Sequence, residues 1–187
     1  NVFVFLVIVF SVLSLFFFLN MKVTTYRGVN YKVSSEPLPL YLKLLNFYDR
    51  HYSYKWLAKR ITGDLGALED KVLRLFQWVH ENIQPQPKIL PVMDDHPWNV
   101  YIRGYGVTDN YHDLFSTLAN YLGTKAFFKS VSIDDAKEGI NISFVEMTRG
   151  WVLFDPYNGV YFNNKNGALA TIEEVKAGNW KMKSLTK

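Results

Sequence analysis

Two neighbouring runs in the C-terminal half of the chain have the clearest strand pattern: Asn141-Ile142-Ser143-Phe144-Val145-Glu146-Met147 and Gly150-Trp151-Val152-Leu153-Phe154-Asp155-Pro156. Both are rich in β-branched and aromatic residues that partly alternate with polar ones. The pair Arg149-Gly150 between them is a turn signal, and a similar run at 125–133 precedes them, separated by the turn residues Asp134-Asp135. The pattern predicts an antiparallel sheet of short strands.

Two helices are predicted upstream of these strands. Residues 40–60 place Leu40, Leu44, Tyr48 and Leu57 at spacings compatible with one helical face. Residues 64–83 form the second helix, because apolar side chains recur there every three or four residues and two prolines follow directly.

A third helix is predicted immediately before the strands. It begins with Thr108 as its N-cap and continues to Gly123, with acidic residues early in the helix where its dipole favours them. Residues 84–107 show no sustained period and are interpreted as a long loop. Helices followed by strands give an α+β class, with helices packed on a small antiparallel sheet.

The chain begins with an uncharged apolar run, Val2–Leu19, that is long enough to cross most of a bilayer. We interpret it as an uncleaved membrane anchor, because no small-residue cleavage pattern or lipidated cysteine follows it. The chain starts with Asn1, which indicates a fragment without its original start. A removed signal peptide, or a true start at Met21, are the alternatives.

The domain organisation follows from this anchor. Residues 1–20 are predicted to span the membrane once, 21–39 to form a juxtamembrane linker, and 40–187 to form a single domain. Lys22, Arg27 and Lys32 follow the apolar run, and the positive-inside tendency places them on the cytoplasmic side. We nevertheless expect the domain to be extracytoplasmic.

Composition excludes several classes of function. The net charge of the chain is +4, and the basic residues are scattered singly along the sequence, which argues against a nucleic-acid partner. The chain has no cysteine, so it has no disulfide, no thiol nucleophile and no zinc site of the cysteine type. We expect no cofactor and no metal, since the spacing of Asp94, His96, His112 and Asp113 matches no known ligand pattern.

The run from Gly104 to Phe115, Gly104-Tyr105-Gly106-Val107-Thr108-Asp109-Asn110-Tyr111-His112-Asp113-Leu114-Phe115, resembles the nucleophile helix of transglutaminase-like domains, which share the papain-like fold. In that family a glycine and a short link precede a cysteine at the helix start. The two strand runs described above resemble the signature of the same family, which begins with the catalytic histidine and ends with the aspartate. The resemblance covers residues 65–180 and implies a papain/transglutaminase-like core.

The resemblance places the catalytic triad on residues that cannot perform the family's chemistry. The cysteine position is Thr108, the histidine position is Asn141 or Ile142 depending on the strand alignment, and the aspartate position is Asp155. A threonine hydroxyl needs a positioned base to lose its proton, and neither an amide nor an aliphatic side chain accepts one. We therefore expect a pseudoenzyme.

The expected function is binding. The family's substrate groove would contain Trp98, Tyr105, His96 and His112, and could hold a peptide, glycan or protein ligand in a bacterial cell envelope. One alternative is an acyl-transfer or amide-hydrolysing enzyme that uses Thr108 with His112 or His96 as base and Asp155 as orienting group. Another is a structural subunit of a membrane complex, which requires an exposed apolar patch away from the groove.

Overall fold

The computed structural model describes residues 2–94, 96–132 and 139–185. The helices are α1 (Val2–Leu19), α2 (Leu40–Thr62), α3 (Leu68–Asn82), α4 (Pro97–Arg103), α5 (Thr108–Asn120) and α6 (Ile172–Lys176). The strands are β1 (Lys22–Val29), β2 (Lys32–Pro39), β3 (Gln84–Pro85), β4 (Met93–Asp94), β5 (Tyr105–Gly106), β6 (Ala126–Ser132), β7 (Gly139–Met147), β8 (Gly150–Asp155), β9 (Val160–Asn163) and β10 (Lys181–Ser184).

The main sheet is antiparallel and has the strand order β10-β9-β8-β7-β6. Ser143 pairs with Phe154 and Val145 with Val152, so the two runs that resemble the family signature form adjacent strands. The α+β class and the three predicted strands are confirmed, and β9 and β10 extend the sheet beyond them. The predicted Asp134-Asp135 turn lies outside the described residues.

The core lies between this sheet and the helices α3 and α5. Phe76 of α3 contacts Phe115 of α5 and Phe154 of β8, with ring centroids 6.1 and 5.2 Å apart. All three rings are buried, and aromatic side chains contribute the largest buried areas of a core. The helix α3 begins at Leu68, four residues later than predicted, because the glycines at 63 and 66 favour a turn between the two helices.

The start of α5 corrects one prediction. Its N-cap is Val107, and Thr108 is the first helical residue. The cap is closed by Asn110, whose side-chain oxygen accepts a hydrogen bond from the Val107 N–H at 3.1 Å. Thr108 is therefore not the N-cap residue of this helix.

The predicted loop at 84–107 contains a short helix, α4, and pieces of strand. Pro97 occupies its first turn, where a missing N–H is tolerated, and Gly104 ends it with φ of 72°. Seven residues make only about two turns, so this helix is too short to produce a recognisable apolar period.

Residues 21–39, the predicted juxtamembrane linker, form a β-hairpin. β1 and β2 pair along their full length, and β1 also pairs with β4 through Gly28 and Asp94. The Leu40 N–H donates to the Met21 carbonyl at 2.8 Å, so α2 begins beside the end of α1. The helix α1 is long and apolar enough to cross a membrane and is exposed throughout.

The helix α2 has two apolar faces, which corrects the single face predicted for it. Leu57 is buried, whereas Leu44 and Tyr48 are exposed. Nine residues separate Tyr48 from Leu57, and at 3.6 residues a turn this spacing places them on opposite sides. The buried face contains Tyr54, Leu57 and Ala58. The exposed face, called here the α2 stripe, consists of Tyr41, Leu45, Tyr48, Tyr52 and Trp56.

Candidate functional site

The N-terminus of α5 is shaped by a small polar network. Asn110 accepts hydrogen bonds from the Val107 N–H and from Arg103, and Arg103 also donates to the Tyr105 carbonyl. Gly106 lies so close to Asn110 that a β-carbon at this position would be 2.6 Å from the Asn110 side-chain oxygen. A glycine is therefore required two residues before Thr108.

Thr108 itself is half-buried at the first turn of α5. Asn141 of β7 donates a hydrogen bond to the carboxylate of Asp109, the next residue. The tip of the β1–β2 hairpin also reaches this place, since Tyr31 lines a small cavity of about 130 Å³ with Val107 and Asp109. An amide, a carboxylate and a tyrosine thus surround the start of the helix.

A buried polar chain lies one turn further along α5. The His112 Nδ1 atom is 2.9 Å from the Ser143 hydroxyl, which also accepts a hydrogen bond from Ser116 at 3.4 Å. With Ser143 donating to Nδ1, the His112 Nε2 atom carries the proton and faces Asp155 Oδ1 at 3.6 Å. Ser143 and His112 have no exposed surface.

Asp155 is held at the end of β8 by its neighbours in the following turn. Asn158 donates to both carboxylate oxygens, from its backbone N–H at 3.0 Å and from its side-chain amide at 2.7 Å. Burial alone would raise the pKa of Asp155, but the nearby His112 ring and the Asn158 donors outweigh it, and the pKa lies below its usual value. The carboxylate is therefore stabilised in its ionised form.

Trp98 and His96, both predicted to line one groove, lie in different depressions. Trp98 lines an open cleft of about 590 Å³ between α2 and α4, called here the α2–α4 cleft, with Trp56 and Tyr101 among its walls. His96 lies beyond Tyr54 in a cavity of about 310 Å³, and its Nδ1 atom is 2.6 Å from the Tyr54 hydroxyl.

The remaining groove residues are also separated from that cleft. The Arg103 guanidinium lies over the half-buried Tyr105 ring, 5.9 Å from its centroid. His112 is fully buried, so it belongs to the core and does not line an open groove in this structure.

The family model of the transglutaminase-like superfamily matches residues 55–156, which is more than half of the chain. These residues include α3, α5 and the strands that hold Ser143 and Asp155. The chain belongs to the transglutaminase-like superfamily.

Two solved structures are similar to this chain at low sequence identity. A "putative cysteine protease" from Cytophaga hutchinsonii has 16% identity and a TM-score of 0.50, over 71% of this chain and 46% of that protein. A "putative protease" from Parabacteroides distasonis ATCC 8503 has 16% identity and a TM-score of 0.46, over 55% of this chain and 23% of that one. This chain therefore spans less than half the length of either. No curated protein matches its sequence significantly.

The residues predicted at the three catalytic positions of the family lie as follows in the structure. Thr108 and Asn141 both lie at the start of α5, where Asn141 bonds to Asp109. Ile142 is buried and, because Ser143 pairs with Phe154, lies level with Asp155 in the sheet. Neither ring nitrogen of His112 is hydrogen-bonded to Thr108, since Nδ1 bonds to Ser143 and Nε2 has no partner within hydrogen-bond distance among the described residues.

Ser143, His112 and Asp155 have the composition of a serine hydrolase triad, but their geometry does not suit one. Ser143 has no exposed surface through which an acyl substrate could reach its hydroxyl. The imidazole of His112 instead lies beside Asp155, with Nε2 3.6 Å from Oδ1. The imidazole thereby stabilises the buried Asp155 carboxylate, in addition to the Asn158 donors.

Several contributing residues were not singled out from the sequence. Ser143 could have been found, because it shares the inward face of β7 with Val145, and a polar residue on such a face needs a buried partner. Asn158 follows Asp155 in a turn where short polar side chains are common. Tyr54 gave no signal, because it was not among the residues that the spacing placed on one face of α2.

Proposed function

We propose that this protein is a membrane-anchored, non-catalytic transglutaminase-like domain that binds a peptide, glycan or protein partner. The observation that carries the proposal is the set of side chains at the family's catalytic positions. Thr108 stands at the nucleophile position, Asn141 or Ile142 at the base position, and Asp155 bonds to Asn158 and faces His112.

The chemical argument concerns the missing base. A hydroxyl near the start of a helix gains little acidity from the dipole, so Thr108 would need an imidazole or carboxylate within hydrogen-bond reach to become a nucleophile. The nitrogens of His112 are directed to Ser143 and Asp155, and the Nδ1 atom of His96 bonds to Tyr54. This geometry favours binding over the acyl-transfer alternative.

The binding surface in this proposal is the α2–α4 cleft. Trp56, Trp98 and Tyr101 line it, and the Trp98 and Tyr101 rings are 4.8 Å apart. Flat aromatic side chains of this kind stack on sugar rings and pack against extended peptides. Asp49 and Ser53 on the same wall supply hydrogen-bonding groups.

Binding is tested with the full chain in detergent micelles, titrated with a panel of peptides and oligosaccharides while tryptophan fluorescence is followed. We expect a ligand whose affinity falls roughly tenfold or more in Trp98→Ala, as for an aromatic hot spot. Trp180→Ala is the matched control, because Trp180 packs on Phe162, which does not line this cleft. Equal losses in both variants, or no binding by any ligand of the panel, would overturn the proposal.

The membrane part of the proposal places α1 across the bilayer and the domain on the extracytoplasmic side of a bacterial cell envelope. The chain has no cysteine, so a single cysteine at exposed Lys165 gives a clean label. In intact cells, Lys165→Cys should react with a membrane-impermeant maleimide and remain in the membrane fraction. Protection from the reagent contradicts the orientation, and a soluble labelled chain contradicts the anchor.

A second candidate function is favoured by the α2 stripe. Tyr52 and Trp56 of the stripe line the α2–α4 cleft, but Tyr41, Leu45 and Tyr48 are exposed away from it. The helix α2 also begins beside the end of α1. An unpartnered apolar surface of this kind fits a structural subunit of a membrane complex. In that case Tyr48→Lys should remove the partner from the purified complex, whereas Trp98→Ala should leave it bound.

A further inference from the structure

A second polar cavity lies on the side of α5 that faces α2, away from the buried chain of Ser143, His112 and Asp155. It has a volume of about 310 Å³ and is lined by residues of α2, α4 and α5 together with His96. Asp113 and Thr117 of α5 and Tyr121 at its C-cap also line it, and their spacing of four residues places them along one side of the helix. This cavity is separate from the α2–α4 cleft, so the inference is independent of the proposed function.

The cavity holds two opposite charges that do not neutralise each other. Arg50 of α2 and Asp113 of α5 both line it, and neither forms an ion pair within the described part of the chain. Burial and the nearby carboxylates of Asp94 and Asp109 raise the pKa of Asp113 to about 6, only partly offset by the Thr117 hydroxyl. Asp113 thus lacks the cation that would stabilise it.

The walls between these charges are aromatic and rigid. The Tyr54 and Tyr121 rings stack with centroids 5.3 Å apart, and His51 bonds to the Tyr121 hydroxyl at 3.1 Å. Tyr54 is in turn held by its 2.6 Å contact with His96. Flat rings that are fixed by hydrogen bonds form a preorganised apolar surface, which lowers the entropic penalty of binding.

We propose that this cavity binds a free α-amino acid with an apolar or aromatic side chain. The ammonium group contacts Asp113, the carboxylate contacts Arg50, and the side chain packs on Tyr121, which the buried Tyr54 ring supports from behind. The size supports a single small molecule, because ligand cavities span roughly 300–1,000 Å³ and this one lies at the lower end. The described residues contain no group of three metal-ligating side chains that could hold a metal ion, so a dipolar organic ligand fits the two charges better.

The test is calorimetric titration of the full chain in micelles with L-phenylalanine and L-leucine. Each is compared with its amide, which lacks the carboxylate, and its N-acetyl derivative, which lacks the ammonium group. We expect the free amino acid to bind, and each blocked form to bind roughly tenfold more weakly or worse, as for lost charged hydrogen bonds. Binding of the amide as tightly as the free amino acid would overturn the assignment of Arg50, and absence of binding by both amino acids would overturn the proposal.

Two variants test which charged residue of the cavity contacts which charged group of the amino acid. Asp113→Asn should abolish the preference for the free ammonium group over the N-acetyl form, and Arg50→Gln should abolish the preference for the carboxylate over the amide. Asp49→Asn is the control, because Asp49 neighbours Arg50 in the chain but lines the α2–α4 cleft. Circular dichroism of each variant establishes that it is folded. Preferences that survive Asp113→Asn and Arg50→Gln unchanged contradict the proposal.

Discussion

The polar groups on the two sides of α5 differ in their burial and in their neighbours. On the side that faces the sheet, His112 and Ser116 are buried and belong to a chain of contacts that ends at Asp155 and Asn158. On the side that faces α2, Asp113 borders a cavity and has carboxylates as its charged neighbours. The side of α5 that faces Asp155 is buried, and the opposite side borders an open cavity.

The carboxylates on the two sides of α5 are expected to affect the stability of the fold differently. A buried carboxylate with donors around it stabilises the fold, whereas one without a cation destabilises it and indicates a functional requirement. Asp155 and Asp113 are therefore expected to respond oppositely to substitution and to pH. The free energy of unfolding of single variants, measured at several pH values, tests this difference.

The largest effect is expected from His112→Ala. The substitution leaves the Ser143 hydroxyl without its imidazole partner, removes the ring that faces Asp155 and opens a space in the core. We expect the free energy of unfolding in urea to fall by about 3 kcal/mol. His51→Ala is the control, because this half-buried ring has one hydrogen bond, to Tyr121, and should cost about 1 kcal/mol or less. Equal losses for the two variants contradict the buried network.

Asp113→Asn is expected to stabilise the protein at pH 7.5. Burial raises the folded-state pKa of Asp113 from 3.8 to about 6, so the folded protein binds more protons than the unfolded chain between these values. The free energy of unfolding of the wild type therefore falls by about 2 kcal/mol as pH rises through this window. Asp113→Asn has no ionisable group at this position, so its free energy of unfolding should not show this fall. Urea unfolding at pH 4 and pH 7.5 measures it. A variant that is less stable than wild type at pH 7.5 would count against an uncompensated carboxylate.

Asp155→Asn should have the opposite sign. Burial opposes ionisation, but the His112 ring and the Asn158 donors outweigh it and hold the pKa of Asp155 below its usual value. Its contribution is then present above the unfolded-state pKa and is lost as pH falls through the folded-state pKa. We expect a loss of about 1 kcal/mol at neutral pH that shrinks on acidification. The same slope for the Asp113 and Asp155 variants would refute the contrast between the two sides of α5.

The smallest effect is expected on the α2 stripe. Tyr48 is 56% exposed, so Tyr48→Ser should change the free energy of unfolding by less than about 0.5 kcal/mol. Leu57 on the other face of α2 is 2% exposed, and Leu57→Ala should cost about 3 kcal/mol. Chemical denaturation of both variants compares the faces, and a large loss for Tyr48→Ser would mean that the stripe is already covered.

The sequence predicted the sheet hairpin and α3 well, because periodic apolar patterns report burial directly. It did not predict α4, whose two turns are too short for a period. It also did not predict the hairpin at residues 21–39, whose strands are mostly exposed and so lack a regular apolar alternation. The separation of Trp98 from His96 was also beyond prediction, since it depends on how Tyr54 of α2 packs between them. Local patterns do not report which side of a helix a distant segment covers.

A non-catalytic domain requires that no acyl transfer occurs at Thr108. The most direct test incubates the full chain in micelles with glutamine-containing peptides and measures released ammonia and cleaved amide bonds. We predict no release above the buffer blank, and identical traces for wild type and Thr108→Ala. Turnover by the wild type that Thr108→Ala abolishes would contradict the claim and show that the degenerate site has kept a base for its hydroxyl.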